Sequence, residues 1–588
     1  MKRICIILLG GLLTTVGCTK GFLDINTDPN NPSQATSSQL LTASEQGLAY
    51  ALGFSNSGRG AIGFTEVLAV YMHQVTVRES QDQYGAQGDQ FDINNAWTQF
   101  YSAQNSGFGF VGFLENTNVL IRQADEEQNH RFAGIGRILK AYGMSQMVDL
   151  FGDVPFTEAN QFYLTKNGYP KFDDDAAIYP ELLKMLDTAI GNLSQSGGNS
   201  LVPGSDDLFY GGNVDSWTRL AKSIKLKMLV QQRLIKNVSA EVSALFSDKL
   251  ISKLEQSFMM PYGPSNSPDD RNPGFNDYFA TQRSHYVSPW FYSILKGYNP
   301  RIFTNIEDPR IPYYFYNQMT TTSVTPADSG KTDYRDSAFV SILFGSVGPN
   351  RDRSNDNGIS VFGIYPVGGR YDDNYKNYNQ NNQLNIEGVS SSDATGAAPL
   401  RLLTYADVLY LKAECINAGL IAGDARATLE AAIQESFLQV DYVATKANKN
   451  QTIPKLSGSA AETDYINKVL AFYDGRPTNN DKLEVIMTQK WIQSYGFSCD
   501  QYSDYRRTGF PILFNPNDPT QAPGGFYQPP IFGDPTSTEP NHVQPRVRVV
   551  LGRNYPLSLP YPADELNVNR NAPPQKQPDV SNVFWDPK

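Results

Sequence analysis

Two stretches of the sequence place aromatic rings beside hydrogen-bonding groups, a combination suited to binding a carbohydrate. The first is residues 286–292 (YVSPWFY), which follows a polar segment and contains Tyr286, Trp290 and Tyr292. The second is residues 370–375 (RYDDNY), in which Arg370, Tyr371 and Asp372 are the candidate contacts. Pyranose faces pack on flat rings, while carboxylate and guanidinium groups at the rim satisfy the sugar hydroxyls. The alternative is that these rings cover the core beneath long loops, because aromatic side chains bury area more often than they bind ligands.

Catalytic and metal-binding patterns are not evident. The histidines His73, His130, His285 and His542 occur singly, without the ligand spacing of a zinc site, and no cofactor is expected. No nucleophile and base can be nominated from spacing. A pair of catalytic carboxylates can be neither seen nor excluded among 60 acidic residues, because the separation that defines a glycosidase is three-dimensional. The net charge of -11 argues against a nucleic-acid partner.

The elements that would position these side chains are mostly helical. Apolar residues recur at helical spacing around Ile135 to Tyr142, Ile178 to Leu193, Trp217 to Met228, Val408 to Cys415 and Leu483 to Trp491. Thr404 is a plausible N-cap for the fourth of these helices. Trp97, Trp217, Trp491 and Trp585 are expected in the core. Long polar segments that are rich in Tyr, Phe and Trp separate the helices, and we expect them to be ordered and functional.

The N-terminus predicts export. Lys2 and Arg3 precede an apolar run that is too short to span a bilayer, and Gly17-Cys18 follows. We interpret residues 1–17 as a signal peptide and Cys18 as the lipidated first residue of the mature chain, although Thr15 stands where such signals usually carry Leu, Val or Ile. Ordinary secretion is the alternative. Cys415 and Cys499 are expected to be buried thiols, and a disulfide between them stays open.

Five phrases of the sequence resemble, in order and approximate spacing, those of the SusD/RagB family of outer-membrane nutrient-binding lipoproteins. They are residues 22–30 (FLDINTDPN), 148–156 (VDLFGDVPF), Tyr210-Gly211-Gly212 leading to Trp217, 403–414 (LTYADVLYLKAE), and Gln489-Lys490-Trp491 followed by 504–509 (DYRRTG). We expect most residues of these phrases to stabilise the fold and not to contact a ligand. Gly152 and Pro155 fix a turn after a helix. Arg506 and Arg507 are expected to pair internally with Asp500 and Asp504 rather than to grip a ligand.

The resemblance implies a mostly α fold, in which a scaffold of paired helices similar to tetratricopeptide repeats supports a loop-rich, mixed lobe that holds the ligand. Residues 18–588 would form a single SusD-like domain. We expect the helical scaffold at about 36–258 and 400–510, and the variable lobe at about 259–399 and 511–588.

The resemblance also implies a function and a partner. Such a protein sits on the outer membrane through its lipid anchor, at the cell surface, and passes oligosaccharides or peptides to a SusC-like TonB-dependent transporter. Resembling proteins place part of their ligand site in the stretch that contains Tyr71, Gln74, Arg78 and Tyr84. Two alternatives stay open: a lipid-anchored glycosidase or peptidase, and a helical docking scaffold that binds no small ligand.

Overall fold

The computed structural model describes residues 35–54, 63–77, 91–105, 110–275, 285–318, 334–336, 338–341, 359–374, 393–513 and 556–587. The phrase at 22–30, Cys18, Arg78 and Tyr84 therefore lie outside the described residues. The fold is mostly α, as expected. Within the described part, no helix has the length and apolar character needed to cross a bilayer.

Helices provide most of the regular structure. They are α1 (Ser37–Leu52), α2 (Phe64–Tyr71), α3 (Phe91–Tyr101), α4 (Leu114–Glu126), α5 (His130–Phe151), α6 (Phe162–Thr165), α7 (Asp175–Leu193), α8 (Val214–Gln231), α9 (Ser239–Phe246), α10 (Pro289–Leu295), α11 (Ile311–Tyr314), α12 (Ile364–Val367), α13 (Tyr405–Asn417), α14 (Ala425–Ala447), α15 (Ala460–Asp474), α16 (Asn479–Gln493), α17 (Cys499–Thr508) and α18 (Ala563–Val568). The helices that were predicted from apolar spacing correspond to α5, α7, α8, α13 and α16.

The strands are short and pair two by two. They are β1 (Val75–Val77), β2 (Gln104–Asn105), β3 (Phe110–Val111), β4 (Val154–Pro155), β5 (Phe172–Asp173), β6 (Phe258–Met260), β7 (His285–Val287), β8 (Phe315–Tyr316), β9 (Tyr334–Asp336), β10 (Phe339–Ser341), β11 (Val361–Phe362) and β12 (Leu400–Leu403). All the pairs in the described residues are antiparallel: β1 with β7, β2 with β3, β4 with β5, β6 with β12, β8 with β11, and β9 with β10.

Local sequence explains where the helices begin. Thr36, Thr404 and Thr478 form capping boxes, in which each threonine side chain accepts from the third backbone N–H of its helix and the side chain at that third position accepts from the threonine N–H. The cap predicted at Thr404 is thus confirmed. α5 ends at Gly152, whose φ of 74° suits glycine, and the chain then enters β4.

Long helices pack side by side, and a large shared core joins them to the lobe. α5 packs against α4 and α7, and α13 packs against α14 and α16. Trp97, Trp217, Trp491 and Trp585 are at most 5% exposed, so their predicted place in the core is confirmed. Residues of the last described segment return to α5, where the Leu559 N–H donates to the Leu150 carbonyl at 2.8 Å. The division into scaffold and lobe stays a prediction.

Cys415 and Cys499 are both buried and free. Burial raises the pKa of each thiol well above its ordinary value, so both stay protonated at neutral pH. They behave as small apolar side chains, as the sequence suggested.

Candidate functional site

Two of the predicted aromatic stretches meet in space. β1 follows Tyr71 and Gln74, and it pairs with β7 so that Thr76 stands opposite Tyr286. The junction is tightened by the Ser288 N–H, which donates to the Gln74 carbonyl at 3.1 Å. Residues more than 200 positions apart are therefore brought together by two strands of three residues each.

At this junction the side chains point into the core. Tyr71, Gln74, Tyr286, Trp290 and Tyr292 are each at most 5% exposed. Gln74 donates from Nε2 to the Trp491 carbonyl at 2.7 Å, and the Tyr292 ring stacks on Phe339 with centroids 3.8 Å apart. This arrangement matches the alternative in which rings cover the core, because a covered ring offers no face to a ligand. Ligand contact by these five residues stays a prediction, and it would require the surrounding segments to move.

Arg370 of the other stretch also turns inward. Its guanidinium is 4% exposed, and Nη2 donates to Asp373 at 2.7 Å while Nη1 pairs with Asp393. The same guanidinium lies over the Tyr316 ring, 5.7 Å from the centroid. Arg370 therefore fastens the loop to β8 and to the segment before β12. In this arrangement Arg370 positions its neighbour Tyr371.

The Tyr371 ring is a partly exposed aromatic surface. Its side chain is half-buried and packs edge-on against Tyr313, with ring centroids 4.8 Å apart and planes at 60°. The Tyr371 N–H donates to Gln451 Oε1 at 3.0 Å, and Gln451 Nε2 donates back to the Tyr371 carbonyl at 2.8 Å. The backbone below the ring is thus held by two hydrogen bonds.

Polar groups surround this ring. We call the group of Tyr371, Asp372, Asp373, Asn374 and Gln451 the Tyr371 surface. Asp372 accepts from the Asn317 N–H at 3.2 Å, and Asp373 accepts from Gln451 Nε2 at 3.0 Å. Asp373 and Asn374 are exposed, whereas the other three are partly buried.

The electrostatics of the Tyr371 surface keep the phenol neutral. Burial, with a further contribution from Asp372 and Asp373, raises the pKa of Tyr371 above its ordinary value of 10.0. The phenol therefore remains a hydrogen-bond donor at neutral pH. A ring that is partly open, flanked by carboxylate acceptors and amide groups, can pack against an apolar face and bind hydroxyl groups around it.

Sequence reasoning found Tyr371 and Asp372 but missed Gln451 and Tyr313. Gln451 lies 80 residues further along the chain, just after α14, in a segment with no aromatic cluster to mark it. Tyr313 begins a run of four aromatic residues that ends at Tyr316, and this run could have been chosen by the same criterion. Nothing in the sequence indicates that the two segments meet.

The arginines of the 504–509 phrase are structural. Arg507 is fully buried and pairs with Glu414 and with Asp504, the latter at 2.7 Å. Arg506 instead donates to the backbone carbonyls of Asp149 and Leu557. Internal pairing with Asp504 is thus confirmed for Arg507. It is wrong for Arg506, because carbonyl groups from two distant segments already satisfy that guanidinium.

Three carboxylates, those of Asp153, Asp174 and Asp175, lie within 4.8 Å of one another. Asp174 caps α7 by accepting from the Ala177 N–H, and Asp153 accepts from the Asp175 N–H, both at 3.0 Å. Burial, followed by the charges of Asp153 and Asp174, raises the pKa of Asp175 to about 6. Asp153 and Asp174 thus bind N–H groups at the start of α7, the Asp175 carboxylate accepts from the Phe584 N–H at 2.8 Å, and we assign the three residues no ligand.

Comparison with known proteins identifies the family. A model of the SusD-like family, described as starch-binding and associating with the outer membrane, matches residues 29–525, and the chain belongs to this family. No curated protein matches the sequence.

Solved structures share the fold at low sequence identity. A SusD/RagB family protein from Bacteroides thetaiotaomicron is 17% identical with a TM-score of 0.63, and the match covers 94% of this chain and 99% of that one. A chitin-binding protein is 18% identical with a TM-score of 0.60, over 94% of this chain and all of the other. A SusD homologue from Bacteroides fragilis is 19% identical with a TM-score of 0.57, over 91% and 94%. At such identities the likeness concerns the fold.

Proposed function

We propose that this SusD-like protein captures oligosaccharides at the cell surface and delivers them to a SusC-like TonB-dependent transporter of the outer membrane. Family membership supports a nutrient-binding role at the outer membrane. The chitin-binding protein of the same fold favours a carbohydrate over a peptide as the ligand. We also propose that the protein binds its ligand without catalysing a reaction on it.

We infer a carbohydrate ligand chiefly from the Tyr371 surface. It combines a partly exposed ring, held edge-on against Tyr313, with carboxylate and amide groups of Asp372, Asp373 and Gln451. Carbohydrate sites need this pairing, because a pyranose has an apolar face and a polar rim. Ligand contact is therefore proposed for Tyr371 and Asp372 ahead of the buried residues at the β1–β7 junction.

Attachment through a lipid on Cys18, after removal of residues 1–17, is also part of the proposal. The basic start, the short apolar run and Gly17-Cys18 support it. Lipidation supplies the anchor, and more than one acyl chain makes the attachment to a bilayer stable. Metabolic labelling with a fatty acid tests this step, and a chain without label contradicts it.

Binding by soluble residues 19–588 to a panel of immobilised oligosaccharides and mixed peptides tests the function. We expect one class of glycan to bind and to be recovered intact. In the variant Tyr371→Ala the affinity for that glycan should fall roughly tenfold, because a ring contact contributes about 1 kcal/mol or more. Tyr442→Ala is the matched control: it removes another partly buried tyrosine, from α14, and should leave the affinity unchanged.

Each other result has a definite meaning. Binding of peptides alone would replace the glycan by a peptide ligand, and cleaved ligand would establish the lipid-anchored glycosidase or peptidase. No binding by the soluble chain or by the full-length protein in its membrane would leave the docking scaffold. Equal loss of affinity in both tyrosine variants would remove Tyr371 from the site.

A further inference from the structure

A small cavity lies in the helical part of the protein, where β12 meets the four helices α13, α14, α16 and α17. Its volume, measured as the space open to the centre of a water molecule, is about 20 Å³. One water molecule needs about 10 to 15 Å³ by this measure. The cavity therefore has room for one or two water molecules, and it is too small for a sugar ring.

The wall of this cavity is polar although it lies in the core. Polar residues of three family phrases meet here: Thr404 and Asp407 from the phrase at 403–414, Lys490 from the phrase that begins at Gln489, and Asp504 from the phrase at 504–509. Cavities that stay dry in proteins are lined by apolar side chains, whereas buried water occupies polar ones. The composition of the wall thus favours a hydrated cavity.

Two amide oxygens of the lining residues have no hydrogen-bond partner among the described residues. They are Gln439 Oε1 and Gln501 Oε1, on side chains that are at most 4% exposed. The amide nitrogens are engaged, because Gln439 Nε2 donates to the Tyr365 hydroxyl at 2.6 Å and Gln501 Nε2 donates to Gln74 Oε1 at 3.0 Å. Rotating either amide would break these bonds. Each oxygen therefore needs a donor that the surrounding chain does not supply.

The same wall has donors to spare. The terminal nitrogens of Arg401 donate to three backbone carbonyls, but its Nε–H has no partner. The Lys490 ammonium has three N–H groups and makes one hydrogen bond, to Asp504 Oδ2 at 2.6 Å. Burial lowers the pKa of Lys490, but the charges of Asp504 and Asp407 outweigh burial and raise that pKa above its ordinary value. Lys490 therefore stays a donor at neutral pH.

An ion does not suit this set of groups. An anion could accept from Lys490 and Arg401, but it would leave both amide oxygens unpaired and would lie beside the carboxylates of Asp407, Asp500 and Asp504. A cation could be bound by the oxygens, but it would meet a buried ammonium and a buried guanidinium. Like charges repel strongly where little water screens them. Water avoids both conflicts, because it donates two hydrogen bonds and accepts two.

We propose that this cavity binds ordered water as a structural ligand. The water accepts from Lys490 or Arg401 and donates to Gln439 Oε1 and Gln501 Oε1. Bound in this way, it joins β12, α14, α16 and α17 through groups that the protein alone leaves unpaired. The proposal is independent of the nutrient ligand and of the transporter.

Crystallography of the protein tests the proposal directly. At a resolution that shows ordered solvent, we expect one or two water molecules in the cavity, within about 3.2 Å of an amide oxygen and of a donor nitrogen. Crystals soaked in sodium bromide and, separately, in rubidium chloride reveal an ion, because bromide and rubidium both scatter anomalously. A cavity without density, or an anomalous peak inside it, would overturn the proposal.

A matched pair of glutamine variants tests in solution which group holds the water. Gln439→Met removes one of the unpaired oxygens. Gln489→Met is the control, because Gln489 is equally buried and makes two side-chain hydrogen bonds, to Arg310 and Tyr465, but does not line the cavity.

Oxygen-17 relaxation dispersion counts the long-lived water molecules in each protein. Relative to the natural protein, we expect Gln439→Met to lose about one such molecule and Gln489→Met to lose none. An unchanged count in Gln439→Met, or the same loss in both variants, would contradict binding of water by Gln439. The crystal structure of the natural protein decides the proposal even where a variant does not fold.

Discussion

Glu45 in α1 is fully buried, with its carboxylate Oε2 accepting from the Leu208 N–H at 2.7 Å. Burial, followed by the nearby negative charge of Asp207, raises its pKa well above the ordinary value of 4.5. The Asp207 carboxylate accepts from four N–H groups, those of Phe209, Tyr210 and Gly212 and the Trp217 indole. The fold therefore favours the protonated form of Glu45.

This proton makes stability depend on pH with a definite sign. The unfolded chain releases it above about pH 4.5, whereas the folded state retains it. The contribution of Glu45 is thus fully present below that pH and is lost as pH rises toward the folded pKa, by about 1.4 kcal/mol per unit. The variant Glu45→Gln mimics the protonated form, so its free energy of unfolding should not fall in this way as the pH rises.

Urea unfolding between pH 5 and 8 measures the effect. The stability of Glu45→Gln minus that of the natural protein should increase across this range. Glu181→Gln on α7, whose side chain is 60% exposed, is the control and should show a flat difference. A flat difference for Glu45→Gln as well would mean that Glu45 is ionised in the folded protein.

At the scale of elements, the turn between Pro203 and Asn213 shows what the Tyr-Gly-Gly phrase is for. Its backbone N–H groups converge on Asp207, and this needs positive φ angles of 58° at Gly211 and 80° at Gly212. The turn also delivers Asn213 to the start of α8, where its side chain accepts from the Ser216 N–H. The Tyr-Gly-Gly phrase therefore has a structural role: it closes the turn on Asp207 and leads the chain into α8.

The two glycines of this turn provide a matched pair of variants. A Cβ at Gly211 would meet nothing within 4 Å, whereas a Cβ at Gly212 would overlap the Pro203 carbonyl. We expect Gly211→Ala to lower the free energy of unfolding by about 1 kcal/mol through backbone strain alone, and Gly212→Ala to lower it by at least about 2 kcal/mol more. Chemical unfolding of both variants checks this difference, and equal losses would show that the turn shifts to accept the methyl group.

Element type was largely readable from the sequence, while contacts between distant segments were not. Apolar spacing located α5, α7, α8, α13 and α16, because one face of each helix must meet the core. The pairing of β1 with β7 involves only three residues on each side, too few to leave a pattern. The sequence also predicts Trp290 as a ligand platform, because it shows that the ring follows a polar loop. Whether that ring is covered depends on the fold of the neighbouring segments, and in the structure Trp290 is buried.

The candidate site was partly predicted for a similar reason. Tyr371, Asp372 and Arg370 were chosen for their local composition. The structure places Arg370 in buried ion pairs that hold the loop, and ligand contact by Arg370 stays a prediction. Gln451 could not be found, because only the folded chain brings α14 next to the Tyr371 loop. Ligand contact at the Tyr371 surface stays a proposal.

At the scale of the whole molecule, buried ion pairs join segments that are far apart in sequence. Glu414 of α13 is fully buried and accepts from Arg507 of α17 and from Arg233, just beyond α8, with the Arg233 contact at 2.7 Å. Burial alone would raise the pKa of Glu414, but the charges of Arg507 and Arg233 outweigh it and lower that pKa to about 2. The carboxylate holds the N-terminal and C-terminal halves of the scaffold together.

Replacing Glu414 by Gln should therefore destabilise the whole fold. The variant leaves the Arg233 guanidinium without a carboxylate partner and leaves Arg507 with Asp504 alone, and we expect the free energy of unfolding to fall by about 3 to 5 kcal/mol. Because the pKa is depressed in the folded state, the contribution of Glu414 is present above about pH 4.5 and is lost as pH falls toward 2. In acid unfolding, Glu414→Gln should lack the loss of stability that protonation of Glu414 causes in the natural protein.

The control variant Asp464→Asn removes a surface pair with Lys468 and should change stability by at most about 1 kcal/mol at any pH. A Glu414→Gln variant that unfolds like this control would show that hydrophobic packing alone joins the two halves.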